Sequence, residues 1–221
     1  MKKIVFFTIL LVLLLLVPAT VIHITPLSLA LKNPANLTNF IQRIIGLIAF
    51  TLLFVQIILG AFMDKLMKRL GAWIFKFHLF EGALIYSLAL LHGILFMVFN
   101  YYIGAGWNPY LVFINVCLLC KTPVDYYYTL GRVSFWLLTV AVLATKFRTA
   151  TPWLKANWRK LHVINYAVFL IVGAHGFLIV TDFRVQPFYS FAVVAYAIVA
   201  GVVAFIEIPR LYKNYRNWIR G

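Results

Sequence analysis

Six apolar runs of about twenty residues divide the chain, at roughly 4–22, 40–63, 77–99, 126–145, 161–180 and 188–208. Each is long enough to cross the ~30 Å hydrocarbon core of a bilayer as a helix. No water reaches that depth, so a spanning segment must satisfy its own backbone N–H and C=O groups, and an isolated span is therefore helical. The expected fold is all-α: an integral membrane bundle of six transmembrane helices forming a single domain over 1–221. Composition agrees, since 64% of residues are hydrophobic and 11% charged, whereas soluble domains are about 45–50% apolar.

Little chain is left between the spans. The longest connection covers 100–125, and the tail "RLYKNYRNWIRG" is too short to fold alone. No flavin- or nucleotide-binding module is expected within this chain. The start, "MKKIVFFTILLVLLLLVPAT", resembles a secretory signal but runs on through "VIHIT" without a clean small-x-small cleavage site, so a retained first span is expected.

A net charge of +15, from 20 Lys and Arg against 5 Asp and Glu, would point to nucleic acid in a soluble protein. Here the cations flank apolar runs and read as topology signals and contacts with anionic lipid, so no nucleic-acid partner is expected. Fifteen of the 20 fall on one side of a six-span arrangement, at the N-terminus and within 65–76, 146–160 and 210–220. Lys32, Arg43, Lys121, Arg132 and Arg184 fall on or near the other. The expectation is a multi-pass protein of the cell (plasma) membrane with both termini cytoplasmic, its third and fifth spans running parallel from inside to outside.

Those two spans hold four of the five histidines. His78 and His92 lie fourteen residues apart in "FHLFEGALIYSLALLHG", and His162 and His175 lie thirteen apart in "LHVINYAVFLIVGAHG". Ionisable side chains are costly inside a membrane and mark functional sites by default. At a rise of 1.5 Å per residue, the members of each pair stand about 20 Å apart along the axis, one towards each membrane face. Parallel spans let His78 meet His162 near the inside and His92 meet His175 near the outside. Each couple suits a flat disc gripped from both sides, as in bis-histidine haem ligation. A single histidine in a span more often hydrogen-bonds a neighbouring helix or lines a wet cavity. Four at matched spacing favour two haems stacked across the bilayer.

The spacing also carries a strain. A step of fourteen returns to within about 40° of the same helix face, but a step of thirteen misses by about 140°. The fifth span should be overwound or bent, with Gly173 and Gly176 as candidates, or its two discs should be rotated relative to each other.

With H-x13-H in the third span and H-x12-H in the fifth, the stretch from about 40 to 210 resembles the ferric reductase-like transmembrane domain. Ferric reductases, NADPH oxidases and the haem-binding membrane subunit of the bacterial methionine-sulfoxide reductase system share that domain. The resemblance implies two b-type haems on His78, His92, His162 and His175, an oxidoreductase role, and electrons entering from the cytoplasmic side. The fused flavin and nicotinamide domain of ferric reductases is missing, and "HLFEG" places Phe80 and Glu81 where several relatives are basic. The donor implied is thus a separate cytoplasmic flavoprotein reductase or membrane quinol. The acceptor is external: ferric iron, oxygen or a periplasmic partner protein.

Arg43 and Arg132, at the outer ends of the second and fourth spans, suit haem propionates, although snorkelling to the interface explains them equally. Arg159 and Lys160 raise the same question at the inner face. Glu81 could accept the free ring N–H of His78 or pair with Lys76, and Glu207 has Arg210 three residues on. Cys117 and Cys120, in the outer loop "NVCLLCKTPVD", form either a disulfide or a dithiol, with a thiol-oxidation site as a weaker option. A proton or metal-ion transporter that uses the buried histidines is the alternative function class.

Overall fold

The computed structural model describes residues 2–179, 181–210 and 212. The basic residues Lys213, Arg216 and Arg220 and the interfacial Trp218 lie outside the described residues. Among the described residues, six helical stretches are long and apolar enough to cross a membrane: Lys2–Ile24, Pro34–Ala61, Trp73–Tyr102, Pro123–Lys146, Pro152–Ile179 and Phe188–Arg210. Among the described residues there is no strand. The chain is an all-α, multi-pass membrane protein.

The first three spans are α1 (Lys2–Ile24), α3 (Pro34–Ala61) and α5 (Trp73–Tyr102). A short helix α2 (Leu27–Ala30) links the first two, and α4 (Met63–Leu70), carrying Lys65, Lys68 and Arg69, links the next. The fourth span is α6 (Pro123–Lys146), the fifth is α7 (Pro152–His162) followed by α8 (Ile164–Ile179), and the sixth begins as α9 (Phe188–Val202).

Three helices start by the same local device. Asn33 accepts a hydrogen bond from the Asn36 amide, Thr122 from Asp125 and Thr151 from Leu154, each followed by proline at the first helical position. The polar cap satisfies an otherwise orphaned N–H, and proline fits where no N–H is needed. The dipeptides Asn-Pro, Thr-Pro and Thr-Pro therefore set where α3, α6 and α7 begin.

Two long antiparallel pairs form the centre, α3 against α5 and α6 against α8. Their juxtaposition makes α5 and α8 parallel, with α1 and α9 packed outside. Between the pairs lies an aromatic core in which Phe50 stacks on Phe169 at 4.8 Å and meets Phe183 edge-on at 4.9 Å. A second stack, Tyr86 on Phe135 at 5.9 Å, joins α5 to α6.

The fifth span is interrupted at Val163, directly after His162, where α7 gives way to α8. There the Tyr166 amide donates to the Val163 carbonyl at 3.1 Å, a bond across three residues, which winds the chain more tightly than an α-turn. The expected distortion is thus not centred on Gly173 or Gly176. Those glycines serve close packing: a β-carbon at Gly173 would meet the Tyr196 ring at 2.6 Å, and one at Gly176 the Phe183 ring at 2.5 Å.

Candidate functional site

The four histidines of α5, α7 and α8 gather at two levels. At one level, called inner after the orientation expected from the sequence, the rings of His78 and His162 meet edge-on, with centroids 6.2 Å apart and planes at 77°. A metal–imidazole bond is about 2 Å long and the ring centroid lies about 1 Å behind the nitrogen, so two imidazoles on one iron have centroids about 6 Å apart. The observed pair has that separation.

At the outer level His92 and His175 line one cavity of about 440 Å³. Its walls are mainly apolar, including Phe50 and Phe135, and Arg43 and Arg132 also line it. Such a volume, with few polar groups among apolar walls, is typical of a cofactor pocket.

Each outer ring is held in the same way by the helix opposite. His92 Nδ1 donates to the Gln42 carbonyl at 2.9 Å, and His175 Nδ1 to the Tyr127 carbonyl at 2.7 Å. Four residues after each carbonyl comes a glycine against which the ring lies. A β-carbon at Gly46 would stand 2.7 Å from His92 Cε1, and one at Gly131 would stand 2.9 Å from His175 Cε1. An Nδ1–H committed to a carbonyl leaves Nε2 as the free lone pair, the tautomer a metal requires.

The inner level repeats this design fourteen residues away, with changes. On α3, Gln42 and Gly46 in "QRIIG" recur as Gln56 and Gly60 in "QIILG". Gln56 Nε2 donates to the His78 carbonyl at 3.0 Å, and Gly60 faces the His78 ring at an ordinary 3.6 Å. On α6 the position fourteen after Gly131 is Thr145, whose hydroxyl lies 3.1 Å from His162 Nδ1 and donates to the Ala141 carbonyl at 2.9 Å.

The polar atoms at the inner level also bear on what fits there. Among the described residues, His78 Nδ1, Gln56 Oε1, Asn165 Oδ1 and both Glu81 oxygens are buried without a hydrogen-bond partner. Buried polar atoms are nearly always paired, so a cluster of orphans is consistent with a water, an ion or a redox role at this level. Glu81 bonds neither His78 nor Lys76, the two partners expected from sequence.

The donor set itself is selective. Among the described residues, no three His, Cys, Asp or Glu side chains gather as a metal site. Two imidazoles per level are too few for a bare ion, which takes about four or more protein or solvent ligands. They match a metal whose remaining positions are filled by a macrocycle. These residues fit haem.

Arg43 is more engaged than its sequence position suggests. Its Nε and one Nη grip Asp182 at 2.7 and 2.5 Å, and the other Nη reaches Thr25 at 2.7 Å. Arg132 donates to the Asn115 carbonyl at 2.6 Å, lies over the Tyr128 ring at 5.8 Å and keeps a buried, unpartnered Nε. Arg159 stacks over Trp158 at 5.5 Å, while the Trp158 ring centroid is 6.2 Å from that of His162. Glu207 pairs with Arg210 at 2.7 Å, as expected, and also accepts from Tyr166 at 3.2 Å.

The chain is similar to curated bacterial proteins named protein-methionine-sulfoxide reductase heme-binding subunit MsrQ. It is 31% identical to the one from Yersinia enterocolitica serotype O:8 over 107 residues, covering 48% of either chain. It is 32% identical to those from Yersinia pestis (strain Pestoides F) and Yersinia pseudotuberculosis serotype O:3 over 98 residues, covering 42% of this chain and 44% of theirs. The similarity thus spans about half the length of the curated relatives. No protein-family model and no solved structure matches the chain.

Proposed function

We propose that this chain is a b-type dihaem cytochrome, the membrane electron-transfer subunit of a reductase system. The observation that carries this reading is the pairing of imidazoles at two depths by the parallel α5 and α7–α8. His78 and His162 stand at the spacing of axial ligands, while His92 and His175 share a cavity with both Nδ1 atoms tied to backbone carbonyls. His78 and His162 would hold the inner haem iron, and His92 and His175 the outer. Arg43 and Arg132 line the outer cavity and serve the propionates. Arg43 can still do so, because its bonds to Asp182 and Thr25 use three of its five N–H donors.

When bound, the haems supply one-electron chemistry at two depths of the membrane. The chain's own residues orient the imidazoles, seal the centre with the Phe50–Phe169 and Tyr86–Phe135 stacks, and exclude water between the levels. The chain lies in the plasma membrane with both termini cytoplasmic, and electrons enter on that side from a flavoprotein reductase or membrane quinol. They leave for an external acceptor. The named haem-binding role of the relatives supports haem as the cofactor.

The test is a haem count on the purified chain with a reduced-minus-oxidised spectrum. Two b haems per chain are expected, falling to one in each single histidine-to-alanine variant. His78→Ala and His162→Ala should leave one and the same spectral component, and His92→Ala and His175→Ala the other. A colourless wild-type protein, or a variant that retains both haems, overturns the reading.

A further inference from the structure

The electron-transfer reading leaves Cys117 and Cys120 without a part. They are joined as a disulfide across a separation of three residues. A ring this small removes little freedom from the unfolded chain, so the bridge is a weak structural staple compared with one that closes a long loop. The C-x-x-C spacing instead favours a reactive thiol pair, and Lys121 follows directly in sequence as a nearby cation.

The placement of the bridge links it to the outer level. The Cys117 amide donates to Thr129 Oγ1 at 3.3 Å, and the Thr129 hydroxyl lies 3.4 Å from Cys117 Sγ. Thr129 is two residues from Tyr127, whose carbonyl accepts from His175 Nδ1. A path of short bonded and hydrogen-bonded steps therefore joins the outer histidine ring to the disulfide. The loop is tied down on the same side, with Arg132 donating to the Asn115 carbonyl and Trp136 to the Phe113 carbonyl at 2.7 Å. Beyond this path the loop reaches the surface: the two cysteines are half-buried, and Leu118 and Leu119 between them are 85% and 93% exposed.

We propose that the Cys117–Cys120 disulfide is a redox site that draws electrons from the outer haem level and delivers them by thiol–disulfide exchange to oxidised thiols on the exported side. The inference rests on the dihaem reading above. The disulfide takes up two electrons and two protons from solvent, its S–S bond breaks and two thiols form, at the expense of oxidising two ferrous haem irons to ferric. A chain with two haems holds the two electrons that one disulfide requires. A Cys thiolate then attacks a sulfur of the external disulfide to give a mixed disulfide. The second cysteine resolves it, which releases the external dithiol and restores the bridge. Leu118 and Leu119 present an apolar tip for that encounter.

The experiment uses the full-length, haem-loaded chain, reduced anaerobically with a measured amount of dithionite, alkylated with a maleimide and weighed by mass spectrometry. Both cysteines should become alkylated, with two haem equivalents oxidised per disulfide opened. Oxidised glutathione, as the external disulfide probe, should reoxidise the wild-type haems at least tenfold faster than those of the Cys117→Ser/Cys120→Ser variant. Disulfide opening should be at least tenfold slower in His92→Ala. Haems that are reduced while the disulfide stays closed, or opening equally fast in His92→Ala, overturn this inference and leave the dihaem reading standing. A wild-type chain that takes up no haem overturns both.

Discussion

The ring of His92 rests against Gly46 on the neighbouring helix, so closely that a β-carbon there would stand 2.7 Å from both Cε1 and Nδ1. The same ring is tethered by Nδ1 to the Gln42 carbonyl, one turn earlier on α3. It cannot retreat without breaking that bond. Gly46→Ala should therefore displace the ring, even though alanine favours the helix by about 1 kcal/mol. The expected result is an outer haem held about 10–100-fold more weakly, the usual penalty for disturbing an outer-shell contact. Gly60→Ala is the control, since its β-carbon would meet His78 Cε1 at an ordinary 3.6 Å. Haem titration of the two variants checks the contrast; equal affinities would remove the role assigned to Gly46.

The inner level makes a complementary prediction. His162 Nδ1 meets the Thr145 hydroxyl at 3.1 Å, where the outer rings meet backbone carbonyls. Thr145→Val keeps the shape of the side chain and removes that partner. It should weaken the inner haem about tenfold or more and shift its midpoint potential, whereas Thr145→Ser should restore both. A redox titration reads the inner component alone, and an unchanged potential in Thr145→Val would exclude a positioning role.

These two devices mark how far the sequence could be read. Apolar runs carry the six helices, because in a membrane each backbone must satisfy itself and the signal stays local. The paired histidine spacing points to two levels for the same reason: it is a property of two helices, each read along its own axis. The glycine and glutamine pattern on α3 was also open to reading, since "QRIIG" and "QIILG" recur at the same fourteen-residue step as His78 and His92. Its meaning is not local, because glycine in a membrane span is common and gives no chemical signal of its own. The thirteen-residue step between His162 and His175 demanded a distortion, but its place depended on which glycines were already pressed against Tyr196 and Phe183. Asp182 as the partner of Arg43, 139 residues away, was beyond local inference altogether.

That ion pair has consequences for stability. Asp182 is fully buried and the Arg43 side chain is 13% exposed. Removing one member leaves the other charge unpaired in a poorly solvated site, which costs about 3–5 kcal/mol. Asp182→Ala should lower the unfolding temperature in detergent markedly, and Arg43→Met/Asp182→Ala should recover much of the loss because neither charge remains. Thermal unfolding of the single and double variants measures this. A double variant as unstable as the sum of the two singles would show that the residues act independently.

The donor side yields a prediction from the chain's own content. Membrane-spanning helices and short connections occupy the described residues, so the donor expected is a separate protein or membrane quinol. NADPH added alone to the purified, haem-loaded chain should leave the haems oxidised, while NADPH with a flavin reductase and free flavin should reduce them. Reduction by NADPH without flavin or partner, followed as the rise of the ferrous bands, would assign the chain a donor site of its own.

On the acceptor side the carboxylates matter, because ferric iron is a hard cation held by oxygen ligands. Near the outer ends of the spans, Asp182 is committed to Arg43 and Asp125 to the Thr122 hydroxyl at 2.8 Å. Among the described residues no acidic cluster forms there. The basic groups Lys32, Lys121 and Arg184 are exposed on that side and suit an acidic partner protein. Charge-guided docking is slowed by salt, since exposed charges are screened beyond about 10 Å at 0.1 M. Stopped-flow oxidation of the pre-reduced chain by an acidic exported redox protein should saturate and slow several-fold between low and high salt. Oxidation by ferric citrate should stay slow and linear in concentration. Fast, saturable oxidation by the ferric chelate, with no response to protein acceptors, would make the chain a ferric reductase instead.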